Sequence, residues 1–221
     1  MFAIKNNCMK NLSYLLLPLI FIIGLSTNCE AKKKKLTVEI KMLTGEIKKG
    51  LLELPISNSH TRIVYRMDEE ASKEAIRSND IDYLLLFTEE DTFYIKRTQY
   101  YNPKKKLGKG KDWLLRQMNC KNFQTYILVQ GFETNSDGDF FALYLDGMGM
   151  YLMQRNDEKY PTELGYIFIK KIITQGMFDK QRKEFLMPYF EKDKEAMSFI
   201  NGKEKIKQDE LIEFLTSICE Q

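Results

Sequence analysis

Between residues 36 and 42 apolar and polar side chains alternate without a break. Leu36, Val38, Ile40 and Met42 share one side, and Thr37, Glu39 and Lys41 the other, which is the period of a half-buried strand. A Thr44-Gly45 turn sends the chain back as a second strand over 46–54, interrupted by Gly50, so the two make a hairpin. After a loop over 55–61, Ile63, Val64 and Tyr65 mark a short strand at 62–66. Asp68, followed by Glu69, Glu70, Ala71 and Lys73, reads as the cap of a short helix ending near Ser78, because an aspartate accepts bonds from the orphan amides of a first helical turn. A second hairpin is expected where 81–87 and 92–98, rich in Leu, Phe, Tyr and Ile, flank the polar turn 88–91.

Residues 99–111 hold Pro103, two glycines and five lysines, a composition short of apolar surface that predicts a mobile basic loop. Further strands are expected over 113–118, 123–134, 139–145 and 148–154, with turns at 135–138 and at Asp146-Gly147. After Pro161 the pattern shifts toward helix. Phe178, Phe185 and Leu186 fall on one face until Pro188 stops or kinks the helix. Ala196, Phe199 and Ile200 repeat the spacing before Asn201-Gly202, and Leu211, Leu215 and Ile218, with Ile212 and Cys219 beside them, form a last amphipathic helix. Strands first and helices last define an α+β fold: an antiparallel, β-rich amino-terminal and central region of roughly seven to nine strands, closed by two or three carboxy-terminal helices. The β-rich part covers 36–154 and the helical part 177–219, within a single domain over 32–221.

The amino terminus has a different character. Lys5 and Lys10 precede an apolar run over 14–25, and small or polar residues follow it, the layout of a secretory signal peptide over 1–31. The run has about 12 residues where a membrane-spanning helix needs roughly 20, so no transmembrane helix is expected in the mature chain. Cleavage after Ala31 would start the mature protein at Lys32 and place it outside the cell or in the periplasm; processing as a lipoprotein at Cys29 is the alternative. Removal of Cys8 and Cys29 leaves Cys120 and Cys219, an even count in a compartment that permits disulfides. Two readings stay open: a Cys120–Cys219 bridge, or a plain buried thiol at Cys219 on the apolar face of its helix.

Composition narrows the chemistry. The 34 Lys+Arg nearly balance the 31 Asp+Glu, for a net charge of +3, so no overall field names a partner. His60 is the only histidine, which excludes multi-histidine zinc sites and places any Ser-His or Cys-His catalysis on a loop residue without a Gly-x-Ser-x-Gly partner. The oxygen-rich stretch from Asn135 to Asp139 has its glycine misplaced for a calcium loop and reads as a hairpin turn; no metal site and no cofactor are expected. Glu69/Glu70 and Glu89/Glu90 are sequence neighbours that point apart on a strand, so neither forms an acid/base pair. Tyr94, Tyr126, Tyr144, Tyr151 and Tyr166 recur along expected strands, where sheet packing explains them more simply than a ligand groove. The densest cationic cluster is Lys104, Lys105, Lys106, Lys109 and Lys111, with Tyr100, Tyr101 and Trp113 nearby, a candidate anion site. An exported chain meets anionic lipid or polysaccharide rather than nucleic acid, so nucleic acid is not an expected partner.

With the hairpin over 36–54, the segment Ile81-Asp82-Tyr83, the stretch 158–162 and the junction 189–193, the chain resembles uncharacterised exported proteins of Bacteroidota-type bacteria. The resemblance implies a bacterial envelope location and supplies no catalytic residues. The expected role is a non-catalytic binding or interaction module of the cell envelope, with an envelope protein, a glycan or an anionic lipid surface as partner. The alternative is a hydrolase that works on polysaccharide with carboxylates alone.

Overall fold

The alternating segments become strands that all run antiparallel to their neighbours. The structure, a computed structural model, describes residues 35–135, 139–144, 148–168 and 180–220. The export segment with Cys29, the centres of the turns at 136–138 and 145–147, and Phe178 lie outside the described residues.

In chain order the strands are β1 (Lys35–Met42), β2 (Ile47–Glu53), β3 (Ile56–Ser57), β4 (Arg62–Arg66), β5 (Glu74–Arg77), β6 (Ile81–Phe87) and β7 (Thr92–Thr98). β8 (Asp112–Asn119), β9 (Phe123–Leu128), β10 (Gly131–Thr134), β11 (Phe140–Leu143), β12 (Met148–Arg155) and β13 (Thr162–Phe168) follow. Ten of them form one sheet in the order β13-β12-β9-β8-β7-β6-β1-β2-β4-β5, and β11-β10-β3 form a second, three-stranded sheet. Residues 180–190 are helical, with a π turn over Arg182–Leu186 leading into α1 (Met187–Phe190); α2 (Lys194–Asn201) and α3 (Gln208–Cys219) complete the chain. Residues 34–221 make one compact unit, and no helix among the described residues is long and apolar enough to cross a membrane.

The strand alternation sorts side chains onto two faces. Val38, Ile40, Leu84, Leu86, Ile95, Trp113 and Ile127 line the face that carries the main core. Ile56 and Phe132 of the small sheet and Leu186, Phe190, Ile200, Leu211 and Leu215 of the helices cover it, each large apolar side chain contributing about 1.5–3 kcal/mol through burial. The opposite face carries a smaller cluster of Leu114, Tyr126 and Leu152, with Tyr94, Tyr100, Leu128 and Met150 packed on it. Of the repeated tyrosines, Tyr151 therefore belongs to the main core and Tyr94 and Tyr126 to the second cluster.

The structure corrects several sequence expectations, and there are 13 strands among the described residues where roughly seven to nine were expected. The segment after Asp68 is not a helix. Asp68 does accept the amides of Glu70 (2.9 Å) and Ala71 (2.7 Å), but the turn opens into β5, which pairs with β4, and a short 3-10 turn over Ser78–Asp80. Only Ile76 of β5 is buried, too little for an apolar helical stripe, whereas an edge strand needs no more. Gly50 does not interrupt β2. It gives the room that the carbonyls of Arg66 and Met67 and the ring of Tyr65 require, so its missing side chain serves the crossing of β4. The expected strand over 123–134 breaks at Val129-Gln130, and its halves enter different sheets. After Pro161 the chain continues as β13, antiparallel to β12, before any helix begins. Pro188 sits inside α1 rather than ending it; the preceding π turn widens the helix where proline removes a donor.

Asn58 joins the two sheets. Its Oδ1 accepts the Trp113 amide (2.7 Å) and Arg97 Nη1 (3.0 Å), while its Nδ2 donates to the Val129 carbonyl (2.5 Å). Cys120, in the turn between β8 and β9, and Cys219, at the end of α3, form a disulfide with Cα atoms 5.1 Å apart.

Candidate functional site

The basic segment 99–111 was expected to be mobile, yet it is tied down along its length. The Tyr101 amide donates to the Pro161 carbonyl (2.8 Å), and the Tyr101 carbonyl accepts the Glu163 amide (2.9 Å). Gln99 Nε2 donates to the Gly108 carbonyl (2.7 Å), whose amide donates to Tyr100 (3.0 Å). Tyr100 packs on Leu114, Tyr126 and Leu152. The segment is thus a strap laid over the second face of the large sheet. Composition missed this because the anchors are backbone groups and one tyrosine, not a run of apolar side chains.

At the tip of the strap, Asn102 Oδ1 accepts the amides of both Lys104 and Lys106 (3.0 Å each). The tight turn places Lys105 at φ 55, the left-handed region a lysine seldom occupies. Lys105 lines a cleft of about 510 Å³. The strap contributes Tyr101, Pro103 and Lys105; the end of β12 and the turn after it contribute Arg155, Glu158 and Lys159; the helical segment contributes Phe185, Tyr189 and Lys192.

The cleft is held together from within. Gln154 Nε2 donates to the carbonyls of Glu158 (2.9 Å) and Lys159 (3.2 Å), and its Oε1 accepts Lys96 Nζ (3.1 Å). Glu158 Oε2 accepts the Arg155 amide (2.8 Å) and the Tyr189 hydroxyl (2.9 Å). Burial and that carboxylate keep the Tyr189 phenol protonated well past its ordinary range. The Arg155 guanidinium lies within cation–π distance of the rings of Tyr189 (4.8 Å) and Phe190 (5.5 Å), with Asp193 at 3.9 Å. Asp193 also caps α2 by accepting the Ala196 amide (3.1 Å), so one carboxylate links the helix start to the cleft. Phe185 meets Tyr166 edge-on at 5.9 Å while Leu186 and Phe190 enter the main core, so the helical segment packs against both β13 and the core.

Four cations, Lys105, Arg155, Lys159 and Lys192, thus face two carboxylates, Glu158 and Glu191. Among the described residues Lys105, Lys159 and Lys192 have no ion-pair partner. Of the five lysines grouped by sequence, the structure brings only Lys105 into this cleft. Lys104, Lys106 and Lys109 are exposed along the strap, and Lys111 donates to the Asn79 carbonyl (2.9 Å). The other three cations come from distant segments, so no local run could have shown them; the weak signals were the stretches 158–162 and 189–193.

The remaining features carry less chemistry. A second hollow of about 540 Å³ is lined by Leu128, Met148 and Met150 with Asp112, whose carboxyl burial pushes above the usual range. His60 Nδ1 accepts the Ser57 amide at 3.3 Å, a loop contact. Asn135 and Asp139 bond each other across their turn, at 2.7 and 2.9 Å. No cluster of metal-ligating side chains occurs among the described residues. No protein family, curated protein or solved structure matches the chain.

Proposed function

We propose that the protein is an exported, non-catalytic binding module of the cell envelope that captures an anionic ligand in the cleft between strap, β12–β13 turn and helical segment. The observation that carries the reading is the charge inside a concave site: four cations, of which three lack partners among the described residues. The four cations outnumber the two carboxylates of the cleft, so a positive potential meets any ligand that enters it. The signal-like amino terminus, the resemblance to exported Bacteroidota-type proteins and the Cys120–Cys219 disulfide support an oxidising, extracytoplasmic setting. Hydrolysis by paired carboxylates is less well served. Of the two carboxylates in the cleft, Glu158 is committed to the Arg155 amide and the Tyr189 hydroxyl, which leaves Glu191 alone where two groups are required.

Retention on a heparin column tests the site. The double variant Lys105→Gln, Lys192→Gln should elute at clearly lower salt than the variant Lys104→Gln, Lys109→Gln, although both lose the same charge. Equal shifts for the two, or no retention of the parent protein, would refute a cleft-centred anion site.

A further inference from the structure

Resting on that reading, we propose that the ligand is an acidic saccharide of the uronate type, its carboxylate gripped by Arg155 and its ring seated against Tyr101. Arg155 is the most constrained cation of the cleft. Its guanidinium carbon lies 4.8 Å from the Tyr189 ring centre and 5.5 Å from that of Phe190, cation–π contacts that restrict its placement, and its side chain is 32% exposed. Asp193 stands at 3.9 Å, beyond normal hydrogen-bond length, so the donors of the fork are not consumed by that pair. A planar fork held in place matches a carboxylate through two parallel hydrogen bonds, whereas flexible lysines act as point charges. Lys105 and Lys192 then offset the charge from the rim.

The rest of the lining suits a ring. Tyr101 is braced edge-on against Tyr160 at 5.8 Å and fixed through both backbone bonds to the 161–163 segment. An aromatic ring presents a negative face, on which the C–H side of a sugar can stack. Pro103, Pro188 and Thr162 complete the wall with two apolar surfaces and one hydroxyl. The volume of about 510 Å³ lies within the range of small-molecule sites, and its concavity admits a short glycan segment but not a bilayer surface. The large exposed apolar residues that could enter a membrane, Leu43, Ile47, Met67, Phe87, Leu107 and Phe141, are scattered over several elements, and none lines the cleft, although Leu107 belongs to the strap.

Calorimetric titration of the mature protein with tri-galacturonate, its methyl ester, inorganic phosphate and phosphatidylglycerol vesicles separates the sources of charge. Tri-galacturonate should bind, with the methyl ester roughly tenfold or more weaker, as expected for loss of a charge-assisted bidentate pair. Arg155→Lys should lower tri-galacturonate affinity about tenfold while leaving the weak response to phosphate unchanged. Tyr101→Leu should weaken the saccharide and not the inorganic anion, with thermal midpoints showing that both variants fold. Equal binding of the methyl ester, phosphate binding as tight as the saccharide, or binding of vesicles alone would each overturn the proposal. If heparin retention depends on Lys105 and Lys192 but tri-galacturonate does not bind, the saccharide assignment alone fails; if neither is seen, the anion-cleft reading fails with it.

Discussion

Glu163 shows how a single buried group sets pH behaviour. It is 5% exposed at the start of β13, and burial raises its carboxyl pKa more than the Tyr166 hydroxyl and Lys180 lower it. An unfolded glutamate releases its proton near pH 4.3 or so, about the ordinary value; the folded one holds it to higher pH. The folded state therefore binds more protons in that window. Its advantage is complete below the unfolded pKa and is lost as pH rises through the folded one. Glu163→Gln, which resembles the protonated form and keeps an acceptor for Tyr166, should leave the melting temperature unchanged near about pH 3.5 and raise it near about pH 7. A variant less stable than the parent at neutral pH would show that the charged form is favoured. Arg97, 6% exposed, is the complementary case. Its burial is tolerated because Asn58 Oδ1 takes one of its donors, a role that loop composition around His60 did not reveal.

At the scale of elements, the helical segment seats on β13 at a point where a side chain is missing. Gly165 has φ 140, and a Cβ there would run into the Gln181 side chain. Gly165→Ala should cost about 2 kcal/mol or more, from the conformation plus the contact, read as a lower midpoint in urea. A neutral effect would mean that the segment docks elsewhere. The sequence made local pairing legible where alternation was strict. β1, β6 and β7 lie within a residue or so of expectation, and α3 carries the expected apolar positions from Leu211 to Cys219, because their patterns are long and their turns polar. It failed where one segment serves two structures. Residues 123–134 read as one strand although Gln130-Gly131 interrupts them, and it is there that the chain breaks and β10 pairs with β3, the missing side chain of Gly131 leaving room for the Ile56 carbonyl. β13 was hidden because Glu163 and Gly165 break its alternation, although tertiary contacts bury both. The cleft was legible to the extent of one residue, Lys105; Arg155 and Lys192 reach it through sheet order and helix docking, which no local window encodes.

Across the whole molecule, the order of the large sheet places β1 inside it, between β6 and β2, and β13 at one end, so early and late strands share one core. The disulfide reinforces that union by closing a loop of 99 residues. A native bridge over so long a loop contributes about 2–5 kcal/mol. Reduction, or Cys219→Ser, should lower the melting temperature by several degrees, by roughly 2–4 °C per kcal/mol at this size. An unchanged midpoint would show that the packing of Leu211, Phe214 and Leu215 holds α3 without help.

The same bond acts as a seal of completion. Cys120 is made early, in the turn between β8 and β9, and its partner arrives only with the final turn of α3. Until then Cys120 lacks the cysteine it bonds in the finished fold. A polypeptide that stalls or is clipped before residue 219 keeps the Cys120 thiol without its native partner, a difference that an oxidoreductase surveying cysteines can read.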